Sequence, residues 1–181
     1  MLQIVIPPAE KWDEVRNEFV QTRGQTLQLE HSLVSLSKWE SKWKKIFLSD
    51  QEKTYEETVD YIKCMTLTQN VDPEVYDNLT KENVDAINAY IDDKMTATYF
   101  SNERGPAKRS NEQVSSELIY YWMIALNIPF ECQKWHLNRL LTLIKVCNIK
   151  NQPPKKMGKR DVMRSNAAIN NARRKRLNSH G

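Results

Sequence analysis

The stretch from Asn111 to Lys150 constrains the fold more than any other, because it sets the densest apolar sequence of the chain on either side of a proline break. Ser110 with Gln113 three residues later is a capping-box start, just ahead of an apolar run. Ile119, Trp122, Met123 and Leu126 then recur at helical spacing. Asn127-Ile128-Pro129 interrupts the run, since proline lacks the N–H that a continuing helix needs. A second helix follows with Leu137, Leu140, Leu141, Ile144 and Cys147 on one face. The expectation is a pair of helices folded back on each other at the core, carrying Tyr120, Tyr121, Trp122 and Trp135.

Upstream, the periodicity changes along the chain. Leu2 to Ile6 is a β-type run ended by Pro7-Pro8, and Glu10 to Val20 reads as a brief helix or an irregular excursion. Thr26 to Leu33 alternates, with Leu27, Leu29 and His31 on one face, which predicts a strand paired with Leu2–Ile6 in a small antiparallel ribbon. From Ser35 the period is helical, and Leu36, Trp39, Trp43 and Phe47 form one stripe. Thr54 and Glu57 make another capping box, opening a helix through Val59, Ile62 and Met65. Asp72-Pro73 begins a short helical turn. Thr80 starts a helix with Val84, Ile87 and Ile91 on its apolar face, and Ser101 to Pro106 is a loop. The fold class that follows is mainly α: a single helical domain over residues 1–150 with a small N-terminal β-ribbon, then a basic C-terminal tail or helix over 151–181. An all-α bundle and a larger α+β sheet are the alternatives.

Several function classes are disfavoured by what is missing. Four isolated glycines in 181 residues leave no phosphate-cradling loop. H-E-x-x-H, C-x-x-C and G-x-S-x-G are all absent, so no catalytic residue and no cofactor is expected. Cys132 and His136 are spaced i, i+4 as metal ligands could be, with Cys64, Cys147 and His31 as further donors. A buried cysteine and a histidine near a helix start is the favoured reading, and no metal is expected. The three cysteines suggest no disulfide framework. The start of the chain lacks a secretory signal, and no apolar run is long enough to span a bilayer. The expectation is a cytosolic protein with no membrane partner.

Charge is distributed unevenly. Residues 151–181 hold nine basic residues and one acid, a net of +8. Of the chain's 27 basic and 23 acidic residues, 18 and 22 fall in residues 1–150, a net of −4. The candidate electrostatic contacts are Lys155, Lys156, Lys159, Arg160, Arg164, Arg173, Arg174, Lys175 and Arg176. Arginine forks suit carboxylates, and Glu52, Glu56, Glu57 and Asp60 offer four within nine residues, so protein contact or self-docking is the favoured use of the tail. Nucleic acid is the less favoured partner: the tail has no aromatic residue for base stacking and no recognisable helix-turn-helix spacing.

Trp39 and Trp43 sit among Lys38, Lys42, Lys44 and Lys45, a mixture found in single-strand binders, yet they continue an apolar stripe and read first as core. Trp and Tyr are also enriched at protein interfaces, which makes the exposed members of the set Trp39, Trp43, Tyr120 and Tyr121 the candidate partner-binding residues.

Three segments carry a resemblance: ELIYYWMIALNIPFECQKWHLNRLLTLIKVCNIKN at Glu117–Asn151, TLQLEHSLVSLSKWESKWKK at Thr26–Lys45, and the ending KKMGKRDVMRSNAAINNARRKRLNSHG. Together they resemble a bacteriophage protein group from tail gene modules, similar to the tail assembly chaperones of long-tailed phages. The resemblance implies a non-enzymatic morphogenesis protein with phage tail proteins as partners, the tape measure protein first, and self-association as a further option. It places the chain in the host cytoplasm, with the virion as the other location. The alternatives are a structural virion component, such as a connector or tail-end subunit, and a nucleic-acid-binding protein that uses the basic tail.

Overall fold

In the computed structural model, described over residues 1–13, 17–100, 113–152 and 158–178, the chain opens with four short strands. These are β1 (Leu2–Ile6), β2 (Ala9–Asp13), β3 (Glu18–Thr22) and β4 (Gln25–Leu29). β1 pairs antiparallel with β4, Leu2 opposite Leu29, and β2 with β3, Trp12 opposite Phe19. The two pairs are the inner and outer halves of one long hairpin, broken where Pro7-Pro8 faces Arg23-Gly24. Proline has no N–H to give to a ladder. A Cβ at Gly24 would come within 2.9 Å of the Ile6 carbonyl oxygen and the Pro8 ring, so only glycine fits the bend.

The inner half is the expected ribbon. Ile4, Ile6, Leu27 and Leu29 alternate inward and are buried. The outer half corrects the expectation of a helix or irregular excursion over Glu10–Val20. Cross-strand pairs hold it: Trp12 against Phe19 edge-on at 4.9 Å, and the Gln21 amide donating to the Glu10 carboxylate at 2.7 Å. Asn17 takes the left-handed conformation before β3, which an asparagine adopts at small cost.

Helices follow: α1 (Leu33–Trp43), α2 (Tyr55–Met65), a 3-10 turn (Pro73–Asn78), α3 (Lys81–Asp92), α4 (Ser116–Ala125), a second 3-10 turn (Phe130–Lys134), α5 (Leu137–Asn151) and α6 (Lys159–Leu177). The fold is mainly α with a small N-terminal antiparallel ribbon. The strand expected to reach Leu33 stops at Leu29, because Ser32 turns to cap α1 in a reciprocal box with Ser35. α1 stops at Lys44 in the left-handed region, so Phe47 lies past the helix rather than on its stripe. Phe47 nonetheless folds back to stack on Tyr61 at 3.9 Å. The Thr54–Glu57 box, the Asp72 cap and the Thr80 cap stand where the sequence puts them.

The central pair differs from expectation in two respects. α4 is capped by Ser115, whose hydroxyl accepts from the Leu118 N–H, while Ser110 lies outside the described residues. The packing partner of α4 is α1, and a 3-10 turn stands between α4 and α5. Asn127, in the left-handed region, ends α4, with the Ile128 N–H returning to the Met123 carbonyl. The core is still built from these helices: Ile119 and Met123 from α4, and Leu137, Leu140 and Ile144 from α5, are buried.

Two compact units result, Met1–Asn148 and Ile149–Gly181. The second contains the 19-residue α6, with no buried residue. Among the described residues no helix is long and apolar enough to cross a membrane.

Candidate partner-binding surface

The four aromatic candidates separate into two kinds. Trp39 is 1% exposed, and its indole N–H donates to the Glu57 carbonyl at 2.8 Å. Its area is spent inside the fold, so it is a core residue and not a contact for a partner. Trp43 is half-buried and donates to the Asp60 carboxylate at 2.9 Å. That carboxylate also pairs with Lys42, and Lys45 pairs with the buried Glu57. The lysines interleaved with these tryptophans therefore fasten α1 and its exit loop to α2, which removes Lys42 and Lys45 from a nucleic-acid groove.

The Lys45 hydrogen bond, followed by the Thr54 backbone N–H, holds the Glu57 carboxyl below the usual carboxylate range. Two of the four acids expected to receive the basic tail, Glu57 and Asp60, are thus already engaged by lysines of α1 and its exit loop.

α4 is different. Its sequence, SELIYYWMIA, is apolar over almost its whole circumference, while only one side meets the core. Ser116, Ile119 and Met123, spaced i, i+3, i+7, form the buried side. Tyr120 and Trp122 flank it half-buried, and the Tyr120 hydroxyl donates to the Gln133 side-chain oxygen at 3.0 Å. On the outer side Tyr121 is 63% exposed and Ile124 60% exposed, one turn apart. A helix that is hydrophobic all round is ordinarily buried all round, and this one is not.

Beside this face lies an open cleft of about 590 Å³ lined by Ile46, Leu48, Val114, Trp122 and Leu141 together with polar Ser49, Gln51 and Gln113. Asp50 is the acidic residue of that lining among the described residues. Glu117, exposed in the first turn of α4, has its carboxyl held below the ordinary range, first by backbone N–H at the helix start and then by the Ser115 hydroxyl. The arrangement is an apolar face and cleft with acids at its margin, suited to an apolar helix with basic flanks.

Glu40 keeps the cleft in shape. It is buried, and its two carboxylate oxygens accept from the Phe47 N–H at 2.9 Å and the Ser116 N–H at 2.8 Å. One side chain thereby ties the 44–50 loop and the N-terminus of α4 to α1.

Cys132 and His136 are both packed into the core. The His136 ring accepts the Asn138 N–H at Nδ1 (3.3 Å), so Nε2 carries the proton and donates to the Tyr90 carbonyl at 2.9 Å. His31 shares a 2.5 Å hydrogen bond with the Tyr61 hydroxyl and meets His136 edge-on at 5.1 Å. Burial, then the neighbouring His136, lowers the His31 pKa to about 4. Cys132 is buried, which raises its thiol pKa. Both nitrogens of His136 are committed to protein groups, and among the described residues no cluster of three or more His, Cys, Asp or Glu could hold a metal ion.

Of the basic candidates, Lys159, Arg160, Arg164, Arg173, Arg174, Lys175 and Arg176 lie on α6, all exposed, and Lys155 and Lys156 lie outside the described residues. Sequence reasoning reached Tyr121 but missed Ile124 and the cleft residues Ile46, Leu48, Val114 and Leu141. For Ile124 a signal existed: the run from Ile119 to Leu126 holds more consecutive apolar side chains than one buried stripe accommodates. No protein-family model, no curated protein and no solved structure matches the chain.

Proposed function

We propose that this chain is a non-enzymatic bacteriophage morphogenesis protein, a tail assembly chaperone whose client is the tape measure protein. The observation that carries the reading is the exposed apolar face of α4, Tyr121 and Ile124 standing beside the Trp122 cleft. Support of another kind comes from the wording of Glu117–Asn151 and Thr26–Lys45, which resembles the tail-module group. A client helix lays its apolar side along α4, one side chain entering the cleft, in the helix-on-groove mode. Asp50, Glu117 and the net negative charge of residues 1–150 favour basic client segments over acidic ones. A contact centred on a few side chains is small, which suits a chaperone that must release its client as the tail tube closes around it.

Co-expression with the tape measure protein of the same tail module, followed by pull-down of the full chain, tests this. Co-purification is expected, and a Y121S/I124S double variant that stays folded should lose it. Failure of the unaltered chain to co-purify would overturn the proposal. A second reading, a structural virion component, is favoured by the outer hairpin: Trp12 and Phe19 are exposed there as a pair, in the manner of an arm that a neighbouring subunit covers. Mass spectrometry of purified particles separates the two, since a chaperone is scarce in them and a subunit is stoichiometric.

A further inference from the structure

We propose that α6 binds duplex DNA by lying in the major groove, a function independent of the client face on α4. The helix has 19 residues, buries none of them, and belongs to its own compact unit. Its charges are segregated. Lys159, Arg160 and Arg164 occupy the first turns, Arg173, Arg174, Lys175 and Arg176 the last, and the eight residues Ser165–Ala172 between them carry no charge. Asp161, the one acid, lies in the first turn, where it complements the helix dipole.

Two features favour a groove over a flat acidic surface. The first is spacing. Arg164 and Arg173 are nine residues apart, about 14 Å along an α-helix. The major groove of B-DNA is about 12 Å wide, so a helix that crosses it obliquely sets basic ends at this separation against the phosphates of its two walls. The second is direction. The last four basic residues are consecutive, and consecutive helical residues point roughly 100° apart, so they encircle the helix. A single carboxylate surface meets only part of such a ring, whereas a groove presents phosphates on more than one side.

The most compact set of body acids is, moreover, partly committed, with Glu57 held by Lys45 and Asp60 by Lys42. The uncharged middle has the side chains that close approach requires. Ala167 and Ala168 are small enough to let the backbone near the base edges, and Asn171 on the same side offers an amide for adenine. Neither aromatic stacking nor a helix-turn-helix is involved. The mode is that of a continuous basic helix entering the groove on its own.

The test is fluorescence anisotropy of the full chain on a labelled 24-base-pair DNA duplex, on the RNA duplex of the same sequence, and across a sodium chloride series. Binding to DNA is expected at 50 mM salt, with affinity falling about a thousandfold by 200 mM, as six or so neutralised phosphates require. The RNA duplex, whose major groove is too narrow for side chains, should bind at least about tenfold more weakly. An R173Q/R174Q/K175Q/R176Q variant should lower the salt slope by about three to four, since each phosphate it no longer neutralises removes about 0.9. The variant with lysine at all four positions should restore it, which separates charge from helix damage. No DNA binding at 50 mM would overturn the proposal, as would equal affinity for the RNA duplex or an unchanged slope in the glutamine variant. Competition by poly-glutamate as strong as by unlabelled DNA would do so too, by assigning the tail to acidic protein partners.

Discussion

α1 and α4 are helices of nearly equal length, each with adjacent large aromatic side chains, and they end in opposite circumstances. In α1 the tryptophans are consumed by the fold: Trp39 is buried with its N–H on the Glu57 carbonyl, and Trp43 donates to Asp60. In α4 the inner side is as well buried as anything in the molecule, yet Tyr121 and Ile124 face outward. Aromatic content alone therefore does not mark a binding helix. Each polar atom of the α1 aromatics has a partner inside the chain, while α4 offers more apolar circumference than its single packing side takes up. Exposed apolar surface left over in this way is what marks a contact surface.

The two helices should differ most at Trp39 and Tyr121. Trp39→Ala should cost about 3–5 kcal/mol, since it opens a core cavity and also removes the indole hydrogen bond to the Glu57 carbonyl. Tyr121→Ala should change stability by no more than about 0.5 kcal/mol. Urea denaturation followed by circular dichroism reads both, and equal losses would erase the distinction.

Next in size is a dependence on pH that comes from the buried His31. The His31 pKa falls from its ordinary 6.5 to about 4 on folding, because burial and the adjacent His136 disfavour its charged form. The unfolded chain takes up a proton below pH 6.5 that the folded chain refuses until about pH 4. Stability is therefore fully present above 6.5 and is lost as the pH falls through this window, by up to about 3 kcal/mol. Denaturation midpoints at pH 7 and pH 4.5 should show the loss, and His31→Phe should flatten it. An unchanged slope in that variant would assign the effect elsewhere.

Glu40 joins the two helices, so its loss should be felt in both. Glu40→Gln keeps a single acceptor oxygen for two backbone N–H groups and should cost about 1–2 kcal/mol. Hydrogen exchange should show the cost as faster opening at Phe47 and Ser116. Smaller again is the effect at the Ser115 cap: Ser115→Ala should cost about 1 kcal/mol and shorten α4 at its start.

Much of this was legible in the sequence, and the gaps have physical causes. The Thr54, Asp72 and Thr80 caps are readable because a side-chain oxygen three residues before an apolar run has few other uses. The inner ribbon is readable because Ile4, Ile6, Leu27 and Leu29 alternate toward the core. The outer hairpin was not, since it is held by cross-strand pairs with mixed polarity on both faces and leaves no period against a core. The exit of α1 was missed because Phe47 fits the helical stripe numerically, while Lys44, in the left-handed region, turns the chain first. At the surface, Tyr121 was identifiable as one of four aromatics, but separating it from Trp39 required knowing which N–H and O–H groups find partners. The cleft could not be read at all. Ile46, Val114 and Leu141 are far apart in the chain, and Glu40 brings two of their segments together.

Whether the outer side of α4 holds a client is read from the affinity of the purified full chain for the tape measure protein, measured beside its Y121S/I124S variant. The variant should unfold at the same denaturant concentration and bind about ten- to a hundredfold more weakly, since these side chains would bury the largest apolar area left exposed on the helix. Equal affinity of the two folded proteins would contradict it.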